Sequence, residues 1–155
     1  MAKLASTLRS LAVPLALAAL AACSSATGDD GLPVAFTPIA LHLAGSPAFT
    51  AGSSAAGTVT VYGTVGLGGC DVPQASARLE GTLLVVRVAM KEPSGNVACP
   101  DILQVIGYRA EVTALAPGTY HLRLEHANTI DVTDPGQPGT PLGDGVRLET
   151  NVTVQ

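Results

Sequence analysis

The ten residues TVTVYGTVGL, Thr58 to Leu67, alternate almost without fault. Val59, Val61, Val65 and Leu67 fall on one side, and Thr58, Thr60, Tyr62 and Thr64 fall on the other. Successive side chains of an extended chain point to opposite faces, so a period of two over ten residues specifies a strand with one apolar face. Gly63 interrupts the apolar row, and Gly66, Gly68 and Gly69 end the stretch at Cys70. No helical pattern follows these glycines, so they do not read as a phosphate-cradling loop.

The same period recurs on both sides of this stretch. Downstream, Ala75 to Leu79, the turn Glu80-Gly81 and Thr82 to Met90 read as a hairpin, with Gly81 supplying the positive φ of a two-residue turn. Leu84, Val86, Val88 and Met90 then face a core, while Leu83 and Val85 opposite them predict a strand covered on both sides for part of its length. Lys91 to Asp101 is a polar loop. Ile102 to Ala114 alternates again, with Ile106, Tyr108, Ala110 and Val112 inward. Tyr120, Leu122 and Leu124 alternate with His121, Arg123 and Glu125. Thr133 to Gly145 is irregular, and Val146 to Val154 is a last strand with Val146, Leu148, Val152 and Val154 inward. Upstream, Val34 to Leu43 is a strand that Pro38 confines to a sheet edge, and Gly45 to Gly57 reads as a loop of small residues.

About seven short strands with turn signals every ten residues or so, and no helical periodicity after residue 32, predict an all-β antiparallel sandwich. The composition agrees: 17 Gly and 11 Pro punctuate a chain with 3% aromatics and no Trp. So few aromatic rings argue against a surface that stacks sugars or bases.

Within this pattern the string LAPGTYHLRL, Leu115 to Leu124, resembles the turn into the penultimate strand of immunoglobulin-like and fibronectin-like domains. The resemblance implies a tyrosine corner at Tyr120, its hydroxyl bonding backbone upstream. The chain departs from antibody domains in lacking Trp, and Cys70 and Cys99 do not match their core cysteine pair.

The N-terminal segment decides the compartment. Lys3 and Arg9 precede the apolar run Leu11 to Leu20, which is shorter than the roughly 20 residues a membrane span needs. Leu20-Ala21-Ala22-Cys23 resembles a bacterial lipobox, which implies cleavage before Cys23 and a lipid on its sulfur. Ala19-Leu20-Ala21 also matches an ordinary cleavage site. Lipidation leaves Cys70 and Cys99 as a pair among three cysteines, and an oxidising envelope makes that pair a disulfide. The chain thus divides into a signal peptide (1–22), a lipidated tether (23–32) and a β-sandwich domain (33–155). Its second mature residue is Ser24 rather than Asp, which in lipoproteins points to the outer membrane. Cleavage removes Lys3 and Arg9 from the eight basic residues, leaving six against twelve acidic ones. With no basic cluster, a nucleic-acid partner is not expected.

Few residues suggest chemistry. No G-x-S-x-G, H-E-x-x-H or C-x-x-C occurs, so no enzyme activity and no cofactor are expected. Asp131, Asp134 and Asp144 bracket the loop DVTDPGQPGTPLGDG and offer carboxylates for Ca²⁺, though without regular ligand spacing; Asp-Pro and Asp-Gly pairs also form turns. His126, with Met90, is a candidate for a softer metal, and a solvated or capping histidine fits as well. The expected function is a lipid-anchored, non-catalytic binding or structural module that displays a surface or loop to another envelope protein or to the extracellular medium. A protease inhibitor presenting residues 133–145 and a metal or small-ligand carrier are the alternatives.

Overall fold

The computed structural model describes residues 31–41, 48–55, 57–95, 97–136 and 138–155. The segment read above as a signal peptide, the lipobox-like stretch with Cys23, and Gln137 lie outside the described residues. Eight strands carry the chain: β1 (Val34–Ile39), β2 (Thr50–Ala55), β3 (Thr58–Gly68), β4 (Val72–Glu80), β5 (Leu83–Lys91), β6 (Leu103–Val112), β7 (Gly118–Ala127) and β8 (Gly145–Val154). They form two four-stranded sheets, ordered β1-β6-β3-β2 and β4-β5-β7-β8. No helix occurs among the described residues. The protein is an all-β sandwich.

The alternation drives this packing. Val59, Val61 and Val65 of β3 are fully buried against Leu84, Val86 and Val88 of β5 and Leu122 and Leu124 of β7 within one apolar cluster. Tyr108, Ala110 and Val112 of β6 and Val152 and Val154 of β8 complete it. Val85 is covered as well, at 1% exposure, although it has the outward parity; its neighbours in register are Arg78 and Arg123, whose aliphatic stems are long enough to shelter it. Pro38 sits where it can be tolerated, on the edge strand β1.

The structure differs from the sequence expectation at three places. A strand, β2, occupies Thr50 to Ala55, within the stretch read as a loop. Its residues are small and weakly strand-forming, and pairing with β3 over Thr58 to Tyr62 holds it. Among the described residues the strands number eight, against the expectation of about seven. Five strand pairings are antiparallel, but β5 and β7 pair in parallel, Leu83 opposite His121 through Ala89 opposite Ala127. This follows from the crossover: β6 leaves for the other sheet, so the chain returns to β5's flank running in the same direction. Finally, Val146 is 50% exposed rather than inward. A register shift at Leu124/Glu125 pairs Leu124 with Leu148 but Glu125 with Val146, and so passes over Arg147. A bulge of this kind exchanges the faces of the residues before it.

Strand directions give the molecule two unlike ends. β1, β3, β5 and β7 run one way and the other four run back. Leu32, which bridges Ala77, the turn at Gly81-Thr82, residues 113–117 and Val154 share one end. Residues 69–71, 92–102 and 128–144 share the other. Strands of nine to eleven residues, at about 3.3 Å each, separate the two by roughly 30 Å.

Candidate functional site

The longest connection, 128–144, is a folded hairpin. Thr133 and Pro141 form an isolated bridge, the Asp134 amide donates to the Thr140 carbonyl at 2.9 Å, and the Leu142 amide donates to the Val132 carbonyl at 2.8 Å. Asp134 is 1% exposed, and its Oδ1 accepts the Gly136 amide at 2.6 Å, the side-chain turn that Asp before Pro-Gly favours. Asp144 closes the base. Its Oδ1 accepts from the Thr129 amide at 2.8 Å and the Thr129 hydroxyl at 2.9 Å. The Thr129 amide bond is the largest cause that holds the Asp144 carboxyl below its usual range. Leu142 is fully buried, and the Ile130 amide bonds the Gly66 carbonyl beyond the end of β2. Gly66 and Gly143 are required here, because a Cβ at either would come within 3 Å of Ile130 and Val132, or of Asp131.

Beneath the hairpin lies a buried polar pair that joins the two sheets. His126 of β7 is 3% exposed and Tyr108 of β6 is fully buried. The His126 Nδ1 lies 3.0 Å from the Leu142 carbonyl, which can only accept, so Nδ1 carries the proton. Nε2 is then the acceptor for the Tyr108 hydroxyl at 2.9 Å. Burial pushes the Tyr108 phenol up from its ordinary value, so it stays protonated as the donor. Desolvation pulls His126 down to about 4, against the opposing effect of its bond to Leu142. Phe36 stacks on Tyr108 at 5.5 Å, and Phe49 meets the His126 ring edge-on at 5.4 Å. Gly63 makes room for the phenol: it is Tyr108's partner in register, and a Cβ there would overlap the ring.

Arg147, re-aimed by the bulge, ties β8 to the same loop. One terminal nitrogen donates to the Pro141 carbonyl at 3.0 Å and the other to the Asp144 carbonyl. With Thr129, Asp131, Pro141, Gly143 and Asp144 it lines an open cleft on the hairpin's flank.

Cys70 and Cys99 are bonded, with Cα atoms 5.4 Å apart, stapling the 92–102 loop beside the turn after β3. The Asp71 carboxylate accepts the Gly68 amide at 2.7 Å in that turn. Tyr120 donates its hydroxyl to the Ala116 carbonyl, four residues upstream, at 2.7 Å. This closes the turn at the opposite end of the molecule from the hairpin.

The candidate carboxylates do not converge. Asp131 packs on Gly143, Asp134 is turned into its own turn, and Asp144 is committed to Thr129. Among the described residues no group of three His, Cys, Asp or Glu side chains could hold a metal ion. His126 has both ring nitrogens occupied by protein atoms. Sequence reasoning missed Thr129, Leu142 and Arg147, which need the loop's folded path to meet. It also missed the Tyr108–His126 pair, although Gly63 in a row of valines signals that a large side chain lies over it. No family model, curated protein or solved structure matches the chain.

Proposed function

We propose that this chain is a lipid-anchored envelope protein whose β-sandwich is a non-catalytic binding module, with the 128–144 hairpin as its principal recognition element. The anchor is the lipid on Cys23, and the outer membrane is the favoured site. The observation that carries the reading is the polarity of the domain. The chain enters at Leu32, and the hairpin and the stapled 92–102 loop stand at the far end of the strands, roughly 30 Å away. A membrane tether at one end and organised loops at the other suit display outward.

The hairpin is also ordered by its own bonds before any partner arrives, which lowers the ordering cost of association. The test places a photo-crosslinking residue at Pro138, on the hairpin, or at Thr153, at the tether end, in intact cells. A discrete partner band at Pro138 that is absent at Thr153 supports the reading. Equal labelling at both sites, or none, counts against it. The same rigid hairpin favours a second reading, a protease inhibitor presenting residues 133–145. Titration against serine, cysteine, aspartic and metalloproteases without inhibition disposes of it.

A further inference from the structure

We propose that Tyr108 and His126 are positioning residues for the 128–144 hairpin, forming a latch between the two sheets and the loop that acid opens. As regulation this rests on the display reading above, whereas the latch itself can be observed without a partner.

The argument starts from proton positions. Neutral His126 satisfies both neighbours at once: Nδ1–H holds the Leu142 carbonyl and Nε2 accepts from Tyr108. Protonation puts a second N–H on Nε2, aimed at a hydroxyl that is already donating to it. Tyr108 must then turn its own hydrogen away from His126, past Phe36 and Gly63, and give up the buried hydrogen bond it donates. The new cation is desolvated, and Arg147 from β8 repels it. Asp144 from the loop attracts it, but that carboxylate is committed to Thr129. Tyr108 from β6 stays neutral, and Phe49 offers only its ring. The relief is for His126 to reach water. That breaks its bond to Leu142, the residue whose amide also ties the hairpin to Val132.

The size of the effect follows from the gap between the ordinary 6.5 and about 4. A hairpin whose open form lets His126 titrate normally opens up to about 300-fold more often below pH 4 than at neutral pH. The experiment is amide hydrogen exchange by NMR on the full chain in detergent, from pH 7.5 to 3.5, corrected for intrinsic rates. The Leu142 and Asp134 amides should lose protection progressively below pH 6.5 while amides of β5 and β7 keep theirs. His126→Gln should flatten the loop's pH dependence, and Tyr108→Phe, which removes the hydroxyl that conflicts with a second N–H, should make it smaller. Should His126→Gln fail to fold, ¹⁵N shifts of the wild-type ring decide the matter by reporting the Nδ1–H tautomer at neutral pH and the midpoint of its protonation. Loop protection that is independent of pH, equal loss in the wild type and His126→Gln, loss shared by all strands, or an Nε2–H tautomer would each overturn the latch.

Discussion

Gly63, Tyr108 and His126 show how one missing side chain can organise a polar pair. The glycine sits among buried valines of β3, and its lack of a Cβ is what lets the phenol cross towards β7. Gly63→Ala is therefore expected to destabilise the fold by at least about 1–3 kcal/mol through overpacking. Urea unfolding should show a much smaller loss for the same change in a Tyr108→Leu background, where the ring is gone. The pair also shapes acid stability. His126 is depressed in the folded state, so its contribution is complete above pH 6.5 and is lost as pH falls from there towards about 4. The loss, on the order of 3 kcal/mol, falls on the closing of the hairpin, and hairpin protection in His126→Gln should lack this component over that window. Tyr120→Phe removes one hydroxyl bond to Ala116 and should cost about 1 kcal/mol, read as a lower urea midpoint.

At the scale of elements, the strands were legible wherever a face alternates with apolar residues. β3, the β4–β5 hairpin, β6 and β7 follow the sequence pattern to within a few residues. β2 was not legible, because Thr50 to Ala55 has no apolar side chain larger than alanine to betray an inner face. The bulge in β8 was not legible either, since the pattern through Val146 and Leu148 continues unbroken across it. Its consequence is chemical, because it delivers Arg147 to the hairpin's carbonyls. The disulfide staples a separate loop over a sequence separation of 29. Replacing both Cys70 and Cys99 by Ser should cost about 3–4 kcal/mol on the chain-entropy account. Exchange should rise first in residues 92–102 and leave the 128–144 hairpin protected, because that hairpin is held by its own bonds.

For the whole molecule, the decisive property is its two ends. The proposed anchor makes a direct prediction: Cys23→Ser should move the protein from the membrane fraction to the soluble fraction, and mass spectrometry of the mature N-terminus should find no lipid. A domain that folds equally well in that variant, judged by its urea midpoint, would separate anchoring from stability.

The sequence by itself determined the all-β class, the inward rows of β3, β5, β6 and β7, and the availability of one cysteine pair in the domain. These depend on local periodicity and composition, which are complete in the chain's order. Only the tertiary structure decided the parallel β5–β7 pairing, the addition of β2, the bulge and the union of Tyr108, His126 and Leu142. Each joins residues from distant elements, and its energy comes from proximity that folding creates: an acceptor carbonyl placed over a buried imidazole, and a glycine under a phenol.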